Sequence, residues 1–181
     1  MKNIIFFVLP ILLLLSSCRM PYASNKIAAY DKQIESELTI YIAYDVGYGG
    51  VRSKERVEFF EEVKKDIIER FSEKGVKADV TILKLGFDYI MSLNIEDIKT
   101  NNPNGLTLFL HETANYTYSG GMEGHSTVEV TLTDHLLDKD VWKTNMEWVE
   151  YRINRLRGIR KSASIYTNAL IRILEKDGLL K

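Results

Sequence analysis

A strand, a helix and a second strand follow one another between residues 38 and 85, and this succession constrains the fold more than any other feature. Leu38, Ile40 and Ile42 alternate with other side chains, which predicts a strand with one apolar face. The next segment repeats apolar residues every three or four positions, at Val57, Phe60, Val63, Ile67 and Phe71. This spacing predicts an amphipathic helix, which we expect Gly75 to end before a strand of residues 76–85. If the two strands are parallel neighbours, the unit is a right-handed crossover.

The second half of the chain predicts three further strands and a closing helix. Residues 106–110 are apolar on both faces, which indicates a strand inside a sheet. Residues 125–133 alternate cleanly, and a run at 141–149 places Trp142, Met146 and Trp148 on one face, which we assign to the core. A helical pattern starts at residue 164 and ends at Gly178, while residues 88–99 are ambiguous and allow a short helix. The prediction is a single α+β domain over residues 38–181, in the order β-α-β-(α)-β-β-β-α, with a twisted mixed sheet packed by two amphipathic helices.

The amino-terminal segment is typical of a secretory signal peptide, which we assign to residues 1–17. Lys2 precedes a nearly unbroken apolar run from Ile4 to Leu15. The alternative is an uncleaved membrane anchor, but a spanning helix needs roughly 20 apolar residues and this run has about 12. The chain is therefore expected to be exported.

The sequence Leu15-Ser16-Ser17-Cys18 that follows resembles the signal of bacterial lipoproteins. The resemblance implies that Cys18, the one cysteine of the chain, receives lipid and becomes the first residue of the mature protein. Acyl chains such as palmitate would then anchor it stably in the membrane. In many such lipoproteins an aspartate after the cysteine retains the protein in the inner membrane. Here Arg19 follows the cysteine, which favours a location in the outer membrane, with the protein facing the periplasm. Residues 18–37 are interpreted as a lipidated tether to the domain.

Composition excludes one class of partner and supports no particular chemistry. The formal net charge is −1, so no basic excess indicates nucleic acid. The loop Gly47-Tyr48-Gly49-Gly50 lacks the Gly-Lys-Ser/Thr that completes a phosphate-binding loop. We therefore predict no cofactor.

Histidines and carboxylates leave an enzymatic alternative open. His111, His125 and His135, with Glu112 and Asp134, would have to gather around one cleft to form a metal or acid/base site. No His-Glu-x-x-His or Gly-x-Ser-x-Gly motif is present. The expectation is therefore no catalytic residue and no metal, with a lipid-anchored hydrolase or metal-dependent enzyme as the alternative.

A glycine-rich loop at residues 115–124 is the candidate partner-binding site. It carries Tyr116, Tyr118 and Met122, which we do not assign to the core and which are typical contact residues. The opening β-α-β pattern, residues 138–143 and the closing helix up to Leu180 resemble small envelope lipoproteins and the amino-terminal domain of the Tol–Pal propeller protein. The resemblance implies an accessory or scaffold subunit that binds another envelope component.

Overall fold

The structure is a computed structural model that describes residues 24–45, 51–85, 105–117, 123–151 and 156–181. The signal peptide, Cys18, the Gly47–Gly50 loop, residues 88–99, Tyr118 and Met122 lie outside these ranges. The described residues form six strands and two helices in the following order: β1 (Ser24–Lys26), β2 (Glu37–Asp45), α1 (Val51–Glu73), β3 (Lys77–Leu85), β4 (Leu106–Thr117), β5 (Glu123–Asp134), β6 (Lys139–Tyr151) and α2 (Leu156–Lys176).

The six strands make one mixed sheet in the order β1-β6-β5-β4-β2-β3. β2 pairs in parallel with β3 and with β4, whereas the other neighbours are antiparallel. The parallel β2-α1-β3 unit and the β4-β5-β6 meander confirm the predicted α+β fold. β4 lies inside the sheet, as its apolar residues on both faces indicate.

Both helices pack on the same face of the sheet, and the core lies between them and the strands. Ile40 and Ile42 of β2 point into it, and Tyr44 stacks on Phe60 of α1 with ring centroids 4.1 Å apart. Phe59 of α1 meets Tyr166 of α2 edge to face, which joins the two helices. Neither helix of the described chain is long and apolar enough to cross a membrane.

Trp142 and Met146 of β6 are buried in this core, as their shared face predicts. The indole Nε1 of Trp142 donates a hydrogen bond of 2.6 Å to Oδ2 of Asp177, just after α2. The polar atom of a buried indole is thus satisfied within the fold. The side chain of Trp148 lies outside the described part of the chain.

Both helices end in the same glycine motif. The N–H of Val76 donates to the carbonyl of Phe71, and the N–H of Gly75 donates to that of Ser72, each at 2.9 Å. Leu179 and Gly178 repeat this pattern at the end of α2. The glycine φ angles of 77° and 70° are left-handed, a conformation that a side chain disfavours. The predicted C′ roles of Gly75 and Gly178 are confirmed.

The structure differs from the predicted tether over residues 24–36. Ser24–Lys26 form an edge strand on β6, and Tyr30 and Ile34 are buried in the core. The N–H of Ile34 donates to the carbonyl of Leu179 at 2.8 Å, and Lys26 Nζ donates to that of Asp177 at the same distance. The segment packs on the domain and is not a free tether, because its partners are supplied by residues more than a hundred positions away. Residues 24–36 are thus part of the domain.

Candidate functional site: the open face of the sheet

The sheet has a second face against which no described helix packs, and we call it the open face. Since successive residues of a strand point to opposite sides, the residues between the core positions lie here. Tyr41 of β2, Phe109 and His111 of β4, and Glu129 and Thr131 of β5 are all half-buried on this face. A half-buried aromatic surface of this kind is typical of a contact surface.

A groove of about 470 Å³ follows the open face from the middle of β4 to the β5–β6 turn. Its polar and aromatic lining residues come from β4, β5, the turn and the start of β6: Thr107, Phe109, His111, Glu129, Thr131, Thr133, His135, Asp138, Lys139 and Asp140. A volume of this order is sufficient to hold a small ligand or a few side chains of a partner.

Aromatic rings and hydrogen-bonding groups alternate across the groove. The rings of Phe109 and His111 lie 5.8 Å apart at 33° to each other. In the strand register Phe109 is opposite Thr131, and His111 is opposite Glu129. Glu129 is also paired with Lys143 of β6, at 2.7 Å between Oε2 and Nζ. The surface can therefore stack against an apolar or ring-shaped group while it hydrogen-bonds the polar edges of that group.

His135 links the two strands that form one end of the groove. Its Nε2 lies 2.7 Å from Oγ1 of Thr107, and its backbone N–H donates to the carbonyl of Gly105 at 3.1 Å. These bonds join the β5–β6 turn to the start of β4. The imidazole thus has a positioning role at the groove wall.

Asp134, the neighbour of His135, faces the helix side of the sheet. Its Oδ2 accepts hydrogen bonds from Lys32 Nζ at 2.8 Å and from the Tyr30 hydroxyl at 3.2 Å. Its Oδ1 accepts the backbone N–H groups of Leu136 and Leu137. Burial by itself raises the pKa of Asp134, but the Lys32 hydrogen bond and charge, with these N–H groups, outweigh it and hold the pKa below its usual value. These hydrogen bonds hold the β5–β6 turn against the end of β5.

Glu112 also faces the helices, where it forms a buried ion pair with Arg56 of α1. Burial, reinforced by the nearby Glu61, raises the pKa of the neighbouring Tyr44 hydroxyl to about 12. Because Glu112 is the next residue after His111, strand alternation places the two on opposite faces. Glu112 therefore connects β4 to α1 and does not line the groove.

The sequence-predicted cluster of histidines and carboxylates is divided by the sheet. His111 and His135 line the groove, whereas Glu112 and Asp134 lie on the helix side. His125 belongs to β5, opposite Tyr116 of β4, and its side chain is outside the described part. Among the described residues no three His, Cys, Asp or Glu side chains are placed to hold a metal ion.

The predicted partner loop is shorter in the structure than in the sequence analysis. β4 continues to Thr117, which pairs with Gly124, and β5 begins at Glu123. Tyr116 is therefore a strand residue, because its β-propensity is realised by pairing with His125. Tyr118 and Met122 lie outside the described residues.

Sequence reasoning missed Phe109 and the groove around it. The available signal was the second apolar face of residues 106–110, which we attributed to burial inside the sheet. That face would have indicated a contact surface had the strand order been known.

No family model and no curated protein matches the sequence. Among solved structures, the chain is similar to the lipoprotein GNA1162 from Neisseria meningitidis, with 14% identity, a TM-score of 0.44 and coverage of 78% of this chain and 99% of that one. It is also similar to the PelC dodecamer from Paraburkholderia phytofirmans, with 14% identity, a TM-score of 0.43 and coverage of 85% and 95%. The hypothetical protein CT253 from Chlamydia trachomatis gives 10% identity, a TM-score of 0.46 and coverage of 78% and 97%. Likenesses this distant imply no shared function.

Proposed function

We propose that this chain is a lipid-anchored protein of the bacterial cell envelope that binds another envelope component through the open face of its sheet. It acts as a non-catalytic accessory or scaffold subunit. The observation that carries the proposal is the groove beside Phe109 and His111, an aromatic and polar surface that no described element covers. A surface of this composition is suited to recognition, because rings provide contact area and hydroxyls provide direction.

The anchor in this proposal is lipid on Cys18, in the outer membrane and facing the periplasm. It is supported by the Leu15-Ser16-Ser17-Cys18 sequence after the apolar run, and by Arg19 after the cysteine. Metabolic labelling with a palmitate analogue tests it in cells that produce the wild type or Cys18→Ala. We expect label in the wild type alone, since the thioether forms only on that sulfur. Equal labelling of both chains contradicts the lipid anchor.

Binding through the open face is tested by cross-linking in the envelope. A photoreactive amino acid replaces Phe109 in one variant and Ile165 in another. Ile165 is a matched control because it is an apolar residue of α2 that is 59% exposed on the opposite side of the domain. We expect a discrete adduct from position 109 and none from position 165. Adducts of equal yield at both positions, in variants that melt like the wild type, contradict the open face as the binding surface.

The hairpin between β4 and β5 is a second contact that we propose for the same partner, through Tyr116, Tyr118 and Met122. Replacement of residues 118–122 by a tight turn tests it. The design keeps Thr117 opposite Gly124, because a one-residue slip would turn Val128 and Val130 outward. We expect a weaker position-109 adduct at unchanged stability. An undiminished adduct assigns the contact to the groove alone.

A further inference from the structure

We propose that the end of the domain at which both helices begin docks onto an anionic membrane surface. This basic end comprises Arg52 and Lys54 of α1 and Arg157, Arg160 and Lys161 of α2. The ligand is the layer of phospholipid headgroups that carries a net negative charge. The inference deepens the proposed lipid anchor, and its test is designed to fail or succeed independently of that anchor.

The first residue of β1 faces this end of the sheet. β1 is antiparallel to β6, with Ser24 opposite Thr144 and Lys26 opposite Trp142. The first residue of β1 therefore points toward Tyr151, the last residue of β6. Only five residues lie between Cys18 and Ser24, so the two lie at most about 22 Å apart. A lipid on Cys18 keeps this side of the domain near the membrane.

Both helices start at the same end of the sheet. Thr117 at the end of β4 pairs with Gly124, which pairs in turn with Glu150 near the end of β6. β2 is parallel to β4, so it also ends here, and α1 begins at Val51, shortly after it. α2 begins at Leu156, shortly after β6. Ion pairs of Arg160 with Glu62, and of Lys74 with Glu175, show that the helices run side by side in one direction.

Basic residues cluster around the start of α2, in a chain whose net charge is −1. Residues 152–161 contain five basic residues, and no acidic residue occurs from Tyr151 to Leu174. Of the described side chains, Arg160 and Lys161 are exposed, and Arg160 Nε lies 3.4 Å from Glu62 Oε2. Charge clusters of this kind are attracted to anionic lipids.

The first turns of both helices carry basic residues where acidic residues are usual. Neither contains an acidic residue, while Arg52 and Lys54 stand in the first turn of α1 and Arg157 in that of α2. The amino-terminal end of a helix carries partial positive charge, so basic residues there destabilise it and acidic ones stabilise it. An external anionic surface offsets this destabilisation, because it attracts both the basic side chains and the positive helix ends. The two helix starts and the basic cluster thus favour the same partner.

Vesicle flotation tests the docking without the lipid anchor. The mature chain from residue 18 with Cys18→Ser is mixed with vesicles of phosphatidylcholine alone or with about 30% phosphatidylglycerol. We expect flotation with the anionic vesicles only, and its loss in about 0.5 M sodium chloride, because salt screens exposed charges. Equal flotation with both vesicle types overturns the proposal.

Charge reversal at two positions locates the surface. Arg157→Glu combined with Lys161→Glu should weaken vesicle binding by at least about tenfold, since each basic residue near an anionic surface contributes several-fold. Lys176→Glu combined with Lys181→Glu is the matched control at the opposite end of the domain, where α2 ends and both lysines are exposed, and it should bind like the wild type. Thermal melts verify that all variants are folded. Equal loss of binding in the two pairs overturns the assignment to the basic end.

A competition arm distinguishes headgroups from a discrete phosphate site. Inorganic phosphate and sodium chloride are compared at equal ionic strength, and we expect them to displace the protein equally. Displacement by phosphate alone shows a phosphate site and overturns the membrane proposal. Because the flotation uses a chain without lipid, its failure leaves the palmitate labelling of Cys18 unaffected, and the converse also holds.

Discussion

At the scale of single residues, the stability of the domain depends on a few buried polar groups whose partners come from distant segments. Asp134 accepts hydrogen bonds from Lys32 and Tyr30, and Trp142 donates one to Asp177. Burial of the Tyr30 hydroxyl, with the adjacent Asp134 charge, raises the pKa of that tyrosine. Each of these contacts joins the sheet to the amino-terminal segment or to the end of α2, so its loss should be measurable in unfolding.

Replacement of Asp134 by Asn should lower the stability of the domain in a pH-dependent way. The folded state holds the pKa of Asp134 below the ordinary 3.8, so the charged carboxylate stabilises the fold above pH 3.8. This contribution is lost as the pH falls through the folded-state pKa. At pH 7 we expect Asp134→Asn to cost about 1.5 to 3 kcal/mol, typical of hydrogen bonds to a charged group.

The measurement is urea unfolding of both chains across the acid range. The difference in unfolding free energy between wild type and Asp134→Asn should shrink as the pH falls below 3.8. The exposed Asp31 supplies the control substitution, Asp31→Asn. A difference that stays constant with pH would show that the charge of Asp134 contributes nothing.

Two substitutions at Trp142 separate its packing from its hydrogen bond. The side chain is 1% exposed, so Trp142→Ala should cost about 3 to 5 kcal/mol through lost burial and a cavity. Trp142→Phe retains most of the ring and loses chiefly the bond to Asp177, and we expect the smaller cost. Thermal and urea unfolding give both values. Near-equal costs would mean that the bond to Asp177, and not the packed ring, dominates.

At the scale of elements, the short β1 strand and the extended segment after it complete the core. The segment supplies Tyr30 and Ile34, both buried, and it bonds to β6 and to the end of α2. β1 also covers Trp142, Lys143 and Thr144 of β6, which would otherwise form part of an open edge. A chain that starts at residue 37 therefore lacks part of the folding unit.

A chain that starts at residue 37 should be much less stable than one that starts at residue 24. Loss of two buried side chains alone removes about 3 to 6 kcal/mol of hydrophobic stabilisation. The comparison is made by urea unfolding of the two truncated chains. This expectation differs from our sequence-based boundary at residue 38, which places residues 18–37 in a tether outside the domain.

At the scale of the whole molecule, one hydrophobic core joins both helices to the sheet, and residues from Tyr30 to Leu180 contribute to it. Each face of the sheet has its own role: one holds the core, and the other carries the groove. The basic end is distinct from the groove, and the strand ends that lead into the β4–β5 hairpin, Thr117 and Gly124, lie at that end. We propose partner binding at the groove and membrane docking at the basic end, so substitutions in the groove should leave docking unchanged.

Thermal unfolding of the chain from residue 18 should show one transition that a chelator leaves unchanged. The shared core favours cooperative unfolding, and the described side chains offer no three-ligand metal site. Melting with and without EDTA is the measurement. A large fall in melting temperature would support the enzymatic alternative with its metal site, beginning with His111 and His135 in the groove.

The sequence by itself determined the elements whose pattern is local. Strand alternation predicted β2, β3 and β5, the helical period predicted α1 and α2, and Gly75 and Gly178 marked the helix ends. These features are readable because side chains three or four apart in a helix, or two apart in a strand, share a face in any context.

Only the tertiary structure decided which distant segments meet. Tyr30 and Lys32 bond to Asp134, about a hundred positions later, and no local period announces such a contact. The same holds for the sheet order, which places β4 between β2 and β5 and so exposes Phe109 and His111 on one groove. His111 and His135 share that groove, while Glu112 and Asp134 are turned to the helices, because the sheet itself separates neighbours in sequence.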